Sequence, residues 1–154
     1  MKIQTYYKIF YKHRILKANF FLKLYLVFII PFRYLINLPF MEKEVDLDKL
    51  AIKKNFLFNE NLNYLFEYFN SDKGKRFVNQ YTQPIKRKSS IKIKGHDYAK
   101  FYEDYFKKYK EKKIKIMEIG SFYGNAAAAL YFYLKNSQIY SADIFPDLFK
   151  YKSN

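Results

Sequence analysis

Residues 114–143 constrain the fold of this 154-residue chain more than any other segment. They read as an apolar run ending near Glu118, a turn that contains glycine, a helix-forming stretch over residues 126–134, and a second apolar run that ends at Asp143. Short apolar runs with β-branched residues predict strands, and the alanine-rich stretch between them predicts a helix. A strand, a turn, a helix and a second strand in this order predict an α/β fold with parallel strands.

Two glycines and one carboxylate make this turn a candidate ligand site. Gly120 can adopt a positive φ and has no Cβ, so the chain can bend off the strand and a ligand can approach the backbone. Gly124 lies at the predicted start of the helix, where free N–H groups and the positive end of the helix dipole favour a polar ligand. Asp143 lies 23 residues after Gly120, where such folds carry the acid that hydrogen-bonds a ribose.

The glycine spacing narrows the choice of nucleotide. A dinucleotide fingerprint needs a second glycine where this chain has Phe122, which disfavours NAD and FAD. A phosphate-binding loop needs Gly-Lys-Ser or Gly-Lys-Thr, but Gly124 is followed by Asn125. ATP or GTP bound by such a loop is therefore excluded.

The remaining pattern, E-x-G-x-x-x-G after a strand, resembles motif I of the class I S-adenosylmethionine-dependent methyltransferases. The resemblance implies that Glu118 and the turn with Gly120, Ser121 and Gly124 hold the methionine end of S-adenosylmethionine. It also implies that Asp143 holds the ribose of this cofactor.

Segments upstream of this turn extend the resemblance to roughly residues 62–151. A D-K-G segment at residues 72–74 and an H-D-Y segment at residues 96–98 precede the M-E-I-G strand end at residues 117–120. This arrangement is similar to that in methyltransferases related to the tetracenomycin and macrocin sugar O-methyltransferases. The chain departs from the family in a basic stretch of about twenty residues between the first two segments.

The resemblance implies roles for several side chains of these segments. It puts Tyr98 and Tyr102 beside the cofactor, where a tyrosine ring or hydroxyl can meet a sulfonium cation or a carboxylate. Asp72 and Lys73 have two equal alternatives, contact with the cofactor or a local salt bridge. A single histidine is more often a capping or surface residue than a ligand, and we expect this of His96.

The length of the chain leads us to expect an incomplete enzyme. Only eleven residues follow Asp143, whereas a parallel sheet needs several strands and cover on both faces. We expect a truncated or split reading frame, or the amino-terminal part of a longer protein. The methyl acceptor, by resemblance a sugar or glycan hydroxyl, and the general base would then belong to the absent part. The sequence has no metal-binding cluster and assigns no catalytic residue, and we expect no turnover by this chain alone.

The sequence predicts three regions. Residues 1–41 form a basic, hydrophobic arm, residues 42–110 form a helical region, and residues 111–154 begin the cofactor-binding domain. The expected fold class is therefore α/β, a Rossmann-like methyltransferase fold truncated after its second strand and preceded by amphipathic helices.

Residues 1–41 contain seven Lys or Arg and no acid, and include the apolar run of residues 20–32. Basic residues around such a run favour a helix that lies in the interface of an anionic membrane. A buried packing helix and a true span are the alternatives, and Lys23, Pro31 and Arg33 disfavour the span. With no cysteine in the chain, we expect a cytoplasmic protein, peripheral to the inner face of the membrane.

Helical periodicity is evident in the central region. Leu62, Leu65, Phe66 and Phe69 share one apolar helix face, and Gly74 is predicted as the turn residue that ends this helix. Asp97 is the predicted N-cap of a second helix, which carries an aromatic stripe in which Phe101, Tyr105 and Phe106 are expected in the core. Residues 83–95 are predicted as an exposed basic loop.

The net charge of +15 supports a competing hypothesis, a basic module that binds an anionic membrane or nucleic acid. Nucleic acid is the less favoured partner, because no RNA-binding signature is present. A third hypothesis is a non-catalytic remnant of a split gene. The sequence says nothing of the oligomeric state.

Overall fold

A computed structural model describes residues 1–78 and 92–153 of the chain. These residues form two compact units, one over residues 1–42 and one over the described residues from 43 onward. The α-helices of the described residues are α1 (Ile3–Phe10), α2 (Lys12–Leu16), α3 (Phe20–Asn37), α4 (Leu47–Lys53), α5 (Leu62–Tyr68), α6 (Ala99–Phe106) and α7 (Asn125–Tyr133). The strands are β1 (Val45–Asp46), β2 (Arg76–Val78), β3 (Lys92–Lys94), β4 (Lys115–Ile119), β5 (Gln138–Ala142) and β6 (Tyr151–Lys152). Short 3-10 turns cover Leu38–Phe40, Asn55–Asn59, Lys107–Tyr109 and Pro146–Leu148.

The first unit is a small helical assembly built on buried tyrosines. Tyr6 of α1, Tyr11 and Ile30 of α3 are its buried apolar residues. The Asn37 side-chain amide donates to the Tyr6 hydroxyl over 2.6 Å. The pKa of Tyr6 is raised to about 12, and burial is the largest cause of this increase. The Tyr34 hydroxyl donates to the Met1 carbonyl over 2.9 Å, which ties α3 to the start of the chain.

Helix α3 is the longest helix of the described residues. Asn19 is the N-cap of this helix, and its side chain accepts a hydrogen bond from the Leu22 N–H over 2.9 Å. It continues through Pro31 to Asn37, so the proline lies inside the helix. The segment Phe20–Phe40 is long and apolar enough to cross a membrane by length and composition, with a mean hydropathy of 1.6 over 18 residues, of which 6% are buried. Core helices of soluble proteins and signal sequences can be equally long and apolar.

Two parallel pairings and one antiparallel pairing join the strands in the described part of the second unit. Strands β4 and β5 are parallel and joined through α7, with Lys115 opposite Gln138 and Ile119 opposite Ala142. Strands β1 and β6 are also parallel, whereas β2 and β3 are antiparallel. The described chain is therefore mixed α/β with small parallel sheets.

The core of the second unit lies where α7 packs against α5 and against β5. The apolar face predicted for α5 is confirmed, because Leu62, Leu65, Phe66 and Phe69 are all buried. The Phe69 ring stacks on Phe132 of α7 with centroids 5.4 Å apart. Small residues over positions 126–129 let α7 approach its neighbours closely, and all four are buried.

The ends of two helices differ from the predictions. Helix α5 ends at Tyr68, and Asn70, with φ at 56°, is the left-handed residue that follows it, so the prediction for Gly74 was wrong. Asparagine tolerates this conformation because its short polar side chain bonds locally. Tyr98, not Asp97, is the residue before α6, and it makes no side-chain cap; Asp97 itself has φ at 56°.

The aromatic stripe on α6 is only partly buried. Phe101 and Tyr105 are 72% and 55% exposed, which contradicts the prediction that both are core residues. Phe106 and Tyr102 do pack against the core, and the Tyr102 ring meets Phe66 edge to face at 5.7 Å. The aromatic stripe extends around more of α6 than α5 covers, so Phe101 and Tyr105 stay exposed.

The predicted basic loop over residues 83–95 lies outside the described residues as far as residue 91. Its end is not a loop, because Lys92–Lys94 form β3 and pair with β2. Alternation along β4 and β5 turns Ile116 and Ile139 to the core, while Met117 and Tyr140 are exposed on the other face.

We expect Phe132→Ala to lower the free energy of unfolding by about 3–5 kcal/mol, because it removes a fully buried ring from the centre of the core. Phe101→Ala is the matched control, and its effect should stay within about 0.5 kcal/mol because that ring is exposed. Urea denaturation followed by circular dichroism measures both. Equal losses in the two variants would contradict the assignment of the core.

Candidate functional site

The turn after β4 is held against the end of β5 by its own backbone. The N–H groups of Gly120 and Ser121 both donate to the Ala142 carbonyl, over 2.8 and 3.2 Å. The Ser121 hydroxyl donates to the Glu118 carbonyl over 2.9 Å. Gly120 has φ at 79°, as its predicted role requires. These bonds tie the turn to the carboxyl ends of two parallel strands.

Gly124 begins α7 in a left-handed conformation. Its φ is 78°, and it is the N-cap residue of the helix, as the sequence predicts. A Cβ at Gly120 or Gly124 would have no heavy atom within 4 Å, so open space lies beside both glycines. The N–H groups of the first helical turn lack intrahelical partners and point out of the helix end.

Asp143 follows β5, and its carboxylate holds the neighbouring turn. Oδ2 accepts a hydrogen bond from the Phe122 N–H over 2.8 Å, and Oδ1 accepts from the Phe145 N–H over 2.9 Å. Phe122 has φ at 49°, a conformation that costs a residue with a Cβ about 1–2 kcal/mol. The bond from Asp143 stabilises that conformation. Each carboxylate oxygen has a second lone pair with which to accept another donor.

An ion pair joins this turn to the D-K-G segment. Lys73 Nζ lies 2.9 Å from Glu118 Oε1, and both side chains are largely buried. Glu118 Oε2 is also buried but has no hydrogen-bond partner. Burial is the largest single influence on the pKa of Lys73 and lowers it, but the charge and hydrogen bond of Glu118, with smaller contributions from Asp72 and Tyr102, together outweigh it. The pKa of Lys73 therefore lies above its ordinary value of 10.5.

A backbone clamp fixes the D-K-G segment in position. His96 N–H donates to the Asp72 carbonyl over 2.7 Å, and Tyr98 N–H donates to the Lys73 carbonyl over 2.8 Å. A Cβ at Gly95 would overlap the Gly74 carbonyl oxygen and stand 2.7 Å from the Asp72 carbonyl oxygen. Only glycine therefore fits at position 95 without displacing the segment.

The remaining predicted residues lie around this clamp. His96 Nε2 lies 3.6 Å from Asp72 Oδ2, and the imidazole stacks on the Tyr98 ring at 5.2 Å. The Tyr98 side chain is half exposed, whereas Tyr102 is partly buried against the core. Tyr102 also interacts electrostatically with Lys73. Lys73 thus forms a salt bridge with Glu118, and Asp72 lies beside His96.

Sequence reasoning missed Asn70, Gly95 and Asn125. The Asn125 side-chain amide at the start of α7 donates to the Asn70 carbonyl over 2.9 Å, which ties the end of α5 to the glycine turn. No periodicity or motif marks this bond, since the two residues are 55 positions apart. The glycine at position 95 was a detectable signal, because it directly precedes the H-D-Y segment.

A surface groove of about 420 Å³ lies beside α5. None of the predicted site residues lines it; the lining residues are Asn61, Asn63, Tyr64, Glu67, Tyr68 and Lys92.

Comparison of the chain with protein-family models, with curated proteins and with solved structures finds no match.

We expect Gly95→Ala to destabilise the protein by about 1–3 kcal/mol, because the new methyl group overlaps two carbonyl oxygens of the clamped segment. Lys94→Ala changes the exposed neighbouring residue and is the control. Thermal and urea unfolding of the two variants measure the difference. If both unfold like the parent protein, the close approach of the two segments is refuted.

Lys73→Met should lower stability by about 1–3 kcal/mol at pH 7, because it leaves the buried Glu118 without its cationic partner. The raised pKa means that the contribution of Lys73 is complete below pH 10.5 and is lost as the pH rises through the folded-state value. The deficit of the variant should therefore shrink above pH 10.5.

Lys49→Met is the control for this measurement, because Lys49 pairs with Asp46 over 3.1 Å on the surface. Such pairs contribute about 0–1 kcal/mol. Urea denaturation between pH 7 and pH 11 compares the two variants. If the stability deficit of Lys73→Met instead grows as the pH rises above 10.5, the predicted pH dependence is refuted.

Proposed function

We propose that the second unit binds S-adenosylmethionine and is the cofactor-binding part of a class I methyltransferase with a Rossmann-like domain. The observation that carries the proposal is the junction of Lys73 and Glu118, which brings the D-K-G segment to the glycine turn of the E-x-G-x-x-x-G pattern. These two segments are 45 residues apart in the chain. Their contact is what the resemblance to sugar O-methyltransferases requires.

Glu118 offers an acceptor that lacks a donor. Its Oε2 atom is buried without a hydrogen-bond partner, and such a group costs about 1–3 kcal/mol or more when charged. The ammonium group at the methionine end of the cofactor would supply a charge-assisted donor. Lys73 uses one of its three N–H donors on Glu118, so the others are available to the carboxylate of the same methionine end.

The two glycines would admit the methionine end of the cofactor, and Asp143 would hold its ribose. Open space beside Gly120 and Gly124 allows the cofactor to approach the backbone. Asp143, at the end of β5, has lone pairs for ribose hydroxyls in addition to its two backbone bonds. Ligands of open α/β sheets bind at this edge, outside the carboxyl ends of the strands.

The cofactor supplies a methyl group on a sulfonium, which passes in line to an oxygen or nitrogen of the acceptor. For this transfer the residues named here bind and orient the donor, which is the larger part of such catalysis. Tyr98, half exposed beside the clamp, would face the sulfonium or the acceptor. A sugar or glycan hydroxyl is the proposed acceptor, and the proton that it loses passes to a general base that these residues do not provide.

Calorimetric titration of the 154-residue chain with S-adenosylmethionine tests the proposal. We expect binding, and a stabilisation of about 2.7 kcal/mol at a ligand concentration one hundred times the Kd. Glu118→Gln should weaken binding at least about tenfold, because it removes a charge-assisted acceptor. Glu111→Gln is the matched control, since Glu111 forms an exposed pair with Lys135.

ATP and NAD serve as control ligands and should not bind in this way. The proposal fails if the folded chain is indifferent to S-adenosylmethionine, or if Glu118→Gln and Glu111→Gln bind it equally. Indifference combined with salt-sensitive binding of RNA would favour the basic binding module. Indifference to every ligand would favour the non-catalytic remnant.

A further inference from the structure

Helix α3 exposes most of its apolar surface. Leu26, Ile30 and Tyr34, spaced four residues apart, pack on the tyrosines of the first unit. On the rest of the helix, large apolar side chains face outward, and Phe21 and Phe28 are 81% and 69% exposed. A contiguous apolar surface of this kind on a monomer marks a site of interaction.

The charge around α3 has one sign. Residues 1–41 carry seven Lys or Arg and no acid, and the structure exposes all seven side chains. Lys12, Arg14 and Lys17 lie on and directly after α2, the helix that precedes α3. An apolar helix beside exposed basic residues is complementary to anionic headgroups above a hydrocarbon layer.

The dimensions favour a helix that lies in the membrane interface. A helix of 18 residues is about 27 Å long, close to the thickness of the hydrocarbon core. However, Lys23 and Arg33 leave only nine residues between them, or about 14 Å of uncharged helix. Such a stretch is too short to span and long enough to insert sideways, with both cations at the headgroups.

We propose that residues 1–42 dock the protein on an anionic phospholipid bilayer, with the outward face of α3 in the interface and the basic residues of α2 on the headgroups. This proposal is independent of cofactor binding, because it rests on the first unit alone. The partner proposed for the outward face of α3 is a lipid bilayer, and not a second copy of the chain or a nucleic acid.

Co-sedimentation of the full chain with vesicles tests the docking. We expect binding to vesicles with about 30% phosphatidylserine, little binding to pure phosphatidylcholine, and a steep loss with salt. The triple variant with Lys12, Arg14 and Lys17 each changed to Gln should lose at least about tenfold in affinity. The matched control changes the exposed Lys107, Lys108 and Lys113 to Gln.

The apolar contribution is tested separately with Phe28→Ser combined with Phe32→Ser, both on the exposed side of α3. We expect this variant to stay helical by circular dichroism and to lose at least about tenfold in vesicle binding. Phe101→Ser, an exposed aromatic change in the second unit, is its control.

Equal affinity for the two kinds of vesicle, or no effect of the α3 and α2 variants, would overturn the proposal. Loss of a dimer in the Phe28 and Phe32 variant, without vesicle binding by the parent, would identify a second copy as the occupant. Protein that resists alkaline carbonate extraction from the vesicles would show a span instead of an interfacial helix. Binding of RNA in place of vesicles would also overturn it.

Discussion

The packing of α5 against α7 is the interaction on which the second unit depends. Phe66 and Phe69 are fully buried, and Phe69 stacks on Phe132. Because α7 is rich in alanine, its backbone comes close to this aromatic layer and to the β4–β5 pair. The start of α7, which directly follows the glycine turn, lies close to the end of α5, and there the Asn125 side-chain amide donates to the Asn70 carbonyl. The hydrophobic packing of α5 on α7 therefore brings the polar residues of the site close enough to form hydrogen bonds.

The polar contacts of the site are arranged in two layers. The outer layer is backbone, with residues 95–98 clamped on residues 72–75 and the glycine turn bonded to Ala142. The inner layer is the Lys73–Glu118 pair, which is held by that clamp and leaves one carboxylate oxygen without a partner. An unsatisfied buried oxygen is costly, and in the proposed function the ammonium group of the cofactor supplies the missing donor. This is the physical link between the fold and the proposed cofactor site.

The two units have opposite chemistry. The second unit buries Phe66, Phe69 and Phe132 in its core, whereas the first exposes apolar side chains on α3 and carries exposed basic residues on the same segment. An exposed apolar helix is costly in water, and a lipid surface removes that cost. A methyltransferase part joined to a membrane-docking unit would act on acceptors close to the bilayer. The two proposals remain separable, because different residues carry them.

The amino-acid sequence by itself determined the local features. The apolar face of α5, the strands around residues 115–119 and 138–142, and the positive φ of Gly120 and Gly124 all follow from periodicity and from the conformational freedom of glycine. Tertiary structure alone decided which faces are covered and which distant residues meet. It left Phe101 exposed, put the left-handed residue after α5 at Asn70 instead of Gly74, and joined Lys73 to Glu118. The reason is that side-chain spacing defines a face within one element, while the partner of that face depends on contacts between residues far apart in the chain.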